Sequence, residues 1–372
     1  QATRGAGPTV GVVLLNIGTP VSTSLEAVSD YLSKFLGDKR VMEVKDSEAK
    51  TAILERILQS AKQSAESYKK IWDPERGSPL LYHSQDLVCK LSQILGSKYE
   101  VRIGFQYSEP SAETAFSRLM ALGVERIVLV PMFPHFAEAT VGAFLANTCQ
   151  IAAKLQCATY LQVVPPFYKD PGFLQAVQER AAEVIGPGAE RVDHVVFSFH
   201  GIPESQCTRT DETESVCMKV PNCCETRCEA VRNCYRAQCL ETAELLAKAL
   251  GLSHEQWSLA FQSRRSLRKA IQWTKPFSDE LLMDLARSGR ARVAVCVPSY
   301  TADCIETLGE VGREMREQFL AEGGEELLLV PCVNSSETWT QRLADLISAL
   351  PQDRASAVAQ AVQGPTQGFW AM

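Results

Sequence analysis

Two residues in this chain sit where side chains meet ligands in α/β proteins. His200 directly follows the apolar run His194–Phe199, and Glu306 opens a helical pattern shortly after the run Arg292–Val297. A neutral imidazole accepts a proton near pH 7 without a large shift and can also ligate a metal transiently. A carboxylate in the first turn of a helix is kept ionised by the helix dipole and can receive protons or hold a hard cation. Each also has a structural reading: the histidine as a satisfied hydrogen-bonder, the glutamate as a surface complement to the dipole. A third feature is the crowding of thiols, because seven of the thirteen cysteines fall between Cys207 and Cys239. In an α/β chain such a clump points to a metal or cluster site rather than to a disulfide framework. The order Cys207, Cys217, Cys223-Cys224, Cys228, Cys234, Cys239 is not a two-by-two CxxC zinc pattern.

The elements that must position these residues follow from the hydrophobic pattern. Runs rich in Val, Ile and Leu at Val10–Asn16, Val101–Phe105, Arg126–Pro131, Tyr160–Val164, His194–Phe199, Trp257–Phe261, Arg292–Val297 and Glu326–Val330 read as buried parallel strands. Helical patterns lie between them at Ser24–Leu36, Ser111–Leu122, Phe136–Lys154, Phe173–Val184, Thr242–Leu250, Ile305–Phe319 and Trp339–Leu350. The alternation predicts a doubly wound α/β fold with crossover helices on both faces of the sheets. Eight strands are many for one sheet, and Pro165-Pro166 punctuates the middle. The expected domains are therefore 8–165 and 166–350, followed by a loose Ala/Gln/Gly tail over 351–372. In such folds ligands bind beyond the carboxyl ends of the strands. Those exits include Gln106-Tyr107-Ser108, Pro131–His135, Ser198–Pro203, Gln262–Arg264 and Pro298–Asp303. Tyr107, Phe133 and Tyr300 are candidate contacts for a flat apolar ligand, and Arg264 for a carboxylate, with core packing and internal ion pairing as the alternatives. Asp303 is expected to cap the helix that Glu306 opens.

Composition narrows the classes. A net charge of -6 opposes a nucleic-acid surface, which needs a basic stripe. No exit carries a G-x-G-x-x-G fingerprint or a P-loop, which lowers the case for a dinucleotide or nucleoside triphosphate enzyme. No run approaches the roughly 18 apolar residues of a membrane span, and QATRGAGPT lacks the apolar centre of a signal peptide. A cytoplasmic location is expected, although the first residue is not Met and a removed leader would leave the compartment only weakly bounded.

The strand exits together resemble those of the ferrochelatases, from about Gly11 to Leu350. The matching pieces are GVVLLNIGTP, LEAVSDYLSKFLGDKRVMEV, GSPL at Gly77–Leu80, SFHGIPES at Ser198–Ser205, FQSR at Phe261–Arg264, ADCIETL at Ala302–Leu308 and PCVN at Pro331–Asn334. Each is weak alone; their order and separations are specific. The resemblance implies two Rossmann-like domains facing each other across a cleft. It also implies insertion of ferrous iron into a porphyrin, here protoporphyrin IX, with His200 and Glu306 as the catalytic pair and the residues that meet the iron. The partners so implied are porphyrin and ferrous iron, with no nucleic acid, in a monomer or homodimer. Residues after the helix carrying Leu32, Phe35 and Leu36 would form an apolar lip, with Val41 and Met42 its members, that touches the membrane peripherally; spacing alone makes the same stripe a core face. Two positions depart from the family. Gln106 stands where many members have Arg or Thr before Tyr107, and Cys304 stands where some have His.

Some ferrochelatases carry a [2Fe–2S] cluster. The animal arrangement does not apply, because Glu138 occupies the position of its internal cysteine and no cysteine follows Cys332. A second, bacterial type places its cysteines after SFHG, as here. On that resemblance Cys217, Cys224, Cys234 and Cys239 are the expected ligands of a [2Fe–2S] cluster. Zinc and plain structural thiols are the rivals. The competing functions are a coproporphyrin ferrochelatase, another chelatase of the same fold acting on a cobalt or sirohaem precursor, and an iron–sulfur redox or iron-sensing protein.

Overall fold

The computed structural model describes residues 7–41, 60–157, 159–264 and 271–351. Met42 and the tail over 352–372 lie outside the described residues. All eight apolar runs are strands: β1 Val10–Asn16, β2 Tyr99–Phe105, β3 Arg126–Pro131, β4 Tyr160–Val163, β5 His194–His200, β6 Trp257–Gln262, β7 Arg292–Cys296 and β8 Glu326–Leu329. They form two four-stranded sheets, ordered β2-β1-β3-β4 and β6-β5-β7-β8, in which every pairing is parallel. Strands such as β1, VGVVLLN, are apolar throughout because both faces are covered by helices and no alternation is needed.

The two sheets repeat one topology. In each, the first strand lies inside, with its successor on one side and the next strand on the other. The chain direction therefore reverses beyond the carboxyl ends of β1 and β5, and a crevice opens at such a switch point. His200 is the last residue of β5. At the β1 exit, Gly18 has φ +95°, a conformation that a side chain strains.

Local signals place the helices. Ser24 accepts from the Ala27 amide, Ser111 from Thr114, and Asp170 from Gly172 and Phe173, with Pro171 at the first helical position. Three helical segments escaped the hydrophobic pattern: 60–71, Pro79–Leu95 and Ser278–Arg287. One core joins the two halves, running from Val12 and Leu14 through Phe173 and Leu246 to Phe197 and Phe199. The last helix, Glu337–Ser348, packs against Pro79–Leu95 and Pro171–Ile185, so the end of the chain returns to the first half. Trp339 anchors it, fully buried against Phe167 and Phe173. Among the described residues no helix is long and apolar enough to cross a membrane.

Candidate active site

A cavity of about 510 Å³ opens between the halves, and both His200 and Glu306 line it. The His200 ring sits beside Tyr300, with centroids 6.4 Å apart. Its Nδ1 lies 2.6 Å from the Gly201 carbonyl oxygen. A carbonyl only accepts, so in the neutral ring Nδ1 carries the proton and Nε2 is the basic nitrogen. Gly201 cannot be larger: a Cβ there would meet the Gln262 carbonyl at 2.9 Å, and its amide donates to that same oxygen at 2.7 Å. The His200 amide donates to Ser299 Oγ (3.2 Å), and the Tyr235 hydroxyl donates to the His200 carbonyl (2.8 Å).

Lining the same cavity, Ile305–Met315 winds as a π-helix, a rare form that concentrates at functional sites. Glu306 is in its first turn, and the buried Cys304 thiol donates to its Oε2 at 3.1 Å. Burial, with Glu306 adding to it, holds the Cys304 thiol well above its usual range, so it stays a donor. Cys304 thus orients the candidate acid. Asp303 does not cap the helix backbone as expected. It is buried and accepts from the Thr307 hydroxyl, the Cys332 amide and the Asn334 side chain, pinning the helix start to the exit of β8.

The same helix carries two residues that motif reading passed over. Glu310 and Glu314 follow Glu306 at intervals of four and also line the cavity. Glu310 accepts from both the amide and the hydroxyl of Ser263. Burial pushes its carboxyl up to about 7, helped by Glu306 and opposed by Ser263. Glu314 is exposed and accepts from Ser67. The acids form a graded line from the cavity wall to solvent, and their spacing was the available sequence signal.

A carboxyl raised in the folded state stabilises the fold below its ordinary range, and that stability is lost as pH rises through about 7. Glu310→Gln is therefore expected to flatten the pH dependence of stability by at most about 3 kcal/mol between about pH 4.5 and 8. Urea unfolding midpoints across that range check this, and parallel profiles for the two proteins would contradict it.

The other expected contacts divide. Phe133 and Tyr300 line the cavity, Phe133 tilted against Phe144 at 5.4 Å and Tyr300 with its buried hydroxyl lacking a hydrogen-bond partner. Arg264 reaches the rim but is engaged: it pairs with Asp279 (2.9 Å) and Glu280 (2.7 Å) and stacks on Phe277 at 4.0 Å. Tyr107 stands behind the wall rather than in it, packed on Phe35 and donating to Asp38 at 3.0 Å. Gln106 bonds Asn147 and the Ala143 carbonyl. Leu32 and Leu36 are core residues with Tyr31 and Tyr68, while Phe35, Leu36 and Val41 also border the cavity. His135 was not singled out; it is buried at the wall, bonded to Thr242 at 2.9 Å, and burial drives its pKa down to about 3, so it is neutral.

The cysteine segment folds beside this wall. Asp211 organises it by accepting from the amides of Thr213, Val216 and Cys217. Cys234, which precedes the helix Tyr235–Ala249, lies in one buried cluster with Cys207, Cys217 and Cys224. All four are buried, and the neighbouring thiols favour the Cys234 thiolate. Arg236 adds a positive charge, donating to Cys224 Sγ at 3.3 Å. Cys239 is buried in the same cluster. Cys239 lies more than one helical turn beyond Cys234, and Cys207 is brought back to the group by the loop. Four buried sulfurs supply the donor type and number of a [2Fe–2S] or zinc site. As they are placed, no three or more His, Cys, Asp or Glu side chains among the described residues are grouped so as to hold a metal ion.

Two parallel α/β halves with a histidine at one switch point and an acidic helix lining the same cavity define a two-domain enzyme of chelatase fold. The backbone is similar to that of the sirohydrochlorin chelatase of Bacillus subtilis subspecies spizizenii solved with cobalt, with a TM-score of 0.51 over 94% of this chain and 97% of that one; at 10% identity this likeness concerns the fold alone. The chain belongs to the ferrochelatase family, whose model matches residues 9–350. It is 39% identical to the ferrochelatase of Bdellovibrio bacteriovorus, covering 91% of this chain and 99% of that protein, and 37% identical to that of Pseudomonas fluorescens, covering 91% and 98%.

Proposed function

We propose that the chain inserts ferrous iron into protoporphyrin IX to give protohaem, releasing two protons, with His200 and Glu306 as the acting pair. The observation that carries this reading is that a basic imidazole nitrogen and a carboxylate line one cavity whose walls, with Phe133 and Tyr300, suit a flat apolar ring. Insertion removes two pyrrole N–H protons and strips water from the metal. His200 Nε2 accepts a proton, and Glu306 receives a proton or meets the hard ferrous ion. Glu310, poised near neutrality, passes protons toward Glu314 and solvent.

The same reading includes a site held by Cys207, Cys217, Cys224 and Cys234 for a [2Fe–2S] cluster, with zinc as the rival. Such a group supplies structural cross-linking and, if a cluster, one-electron chemistry. It further takes the chain as two domains, 8–165 and 166–350, in a cytoplasmic monomer or homodimer that meets a membrane peripherally near Val41. All thirteen cysteines are free, as a reducing compartment favours.

Metallation assayed with ferrous iron and either protoporphyrin or coproporphyrin tests the reading. Faster turnover of protoporphyrin supports it; exclusive use of coproporphyrin makes that the substrate, and no metallation of either overturns it. Glu306→Gln keeps shape and removes charge, so turnover is expected to fall about a hundredfold with porphyrin affinity little changed. Loss of affinity with turnover intact would make Glu306 a substrate anchor instead.

A further inference from the structure

We propose that Tyr235 is a positioning residue that ties the His200 backbone to the thiol group, so that the packing of the four sulfurs sets the placement of the imidazole. The inference rests on the reading of His200 as a group that acts on substrate. Tyr235 immediately follows Cys234, which is buried with Cys207, Cys217 and Cys224 in one cluster, and begins a 15-residue helix. Its hydroxyl donates to the His200 carbonyl at 2.8 Å and lies 3.2 Å from Ser299 Oγ, which in turn accepts from the His200 amide at 3.2 Å. Both backbone polar groups of His200 are therefore held from one corner.

The same helix grips the cavity wall a second time. Thr242 bonds His135 at 2.9 Å, Gln238 accepts from the Phe136 amide at 2.8 Å, and the Tyr235 ring meets the His135 ring edge-on at 5.9 Å. Cys239, on the next turn, is buried in the same cluster as Tyr235 and Cys234. A helix moves as a unit, so a shift of Cys234 as its neighbours repack is carried to the hydroxyl. A hydrogen bond weakens steeply with distance and angle, which makes the His200 carbonyl the sensitive end of the linkage. Metal insertion by itself needs no contact between Cys234 and His200. The linkage gives the thiol group, whatever it holds, a one-residue path to the reacting site.

Tyr235→Phe keeps the buried ring and removes the hydroxyl. With zinc or ferrous ion, kcat is expected to fall about tenfold with KM for porphyrin within about twofold, the loss of one buried hydrogen bond acting on a positioned group. The second readout is the His200 side-chain resonance in histidine-labelled protein, assigned by its absence in His200→Ala. Cys217→Ser, which perturbs the sulfurs without touching Tyr235, should move that resonance in the otherwise native protein and not in the Tyr235→Phe background. An unchanged kcat, or an equal response to Cys217→Ser in both backgrounds, overturns the proposal. If Tyr235→Phe fails to give a cooperative melt, Ser299→Ala removes the other arm and is read the same way. An active His200→Ala enzyme would instead sink the underlying reading, whereas an inactive His200→Ala beside an unaffected Tyr235→Phe refutes only the linkage.

Discussion

His200→Ala is expected to lower metallation at least about a hundredfold while porphyrin binding and the melting temperature stay near native values, because loss of a positioned proton acceptor alone removes that much. The structure explains why binding should survive. The ring lies at the end of β5 beside Tyr300, its Nδ1 is spent on the Gly201 carbonyl, and the apolar wall is supplied by other residues. The strand should survive too, since its anchoring contacts, Ser299 to the amide and Tyr235 to the carbonyl, are made by the His200 backbone. Steady-state rates with zinc and ferrous ion, together with quenching of porphyrin fluorescence on binding, separate the two effects. Activity within about tenfold of native would remove His200 from the chemistry.

The second large effect is expected in the cysteine segment. Purified anaerobically without chelator, the protein should be reddish brown with about two irons and two acid-labile sulfides per chain. Cys207→Ser, Cys217→Ser, Cys224→Ser and Cys234→Ser should each bleach the colour and lower thermal stability, because binding of the group and folding of the segment are coupled. Cys234→Ser should be the most damaging, since it also precedes the helix whose Tyr235 holds the His200 carbonyl. Cys239→Ser should keep the colour, as its sulfur faces Tyr235, and Cys89→Ser, on the surface, should change nothing. Retained colour in Cys207→Ser with bleaching in Cys239→Ser would reverse the ligand assignment. Zinc without sulfide would replace the cluster by a structural ion, and a colourless, metal-free protein would leave the thiols as packing.

Much of the architecture was legible before any tertiary information. The eight apolar runs are the eight strands, with ends displaced by only one or two residues, because a strand covered on both faces must be apolar throughout. That His200 ends such a run, and that Glu306 opens a helix after another, is a matter of local order along the chain. Parallel α/β topology then brings strand ends to one side, so both residues were marked as neighbours of a ligand. The helices Pro79–Leu95 and Ser278–Arg287 were missed although they are regular.

What the tertiary structure decided is the identity of partners across long separations. Nothing near Tyr107 in sequence says that Asp38 will take its hydroxyl and hold it behind the wall, and nothing near Arg264 says that Asp279 and Glu280 will engage it. Cys207 and Cys234 are separated by 26 intervening residues of loop and short turns, whose path is set by Asp211 and by packing rather than by any period. The line Glu306, Glu310, Glu314 was present as a spacing, but only the cavity wall, with Ser263 bonded to Glu310, makes it a line of unequal acids rather than one solvated helix face. Periodicity determines which residues are buried, since burial is a property of each element's own faces. Which buried groups meet depends on how the two sheets and the loop between β5 and the helix Tyr235–Ala249 close on one another, and that is a property of the whole chain.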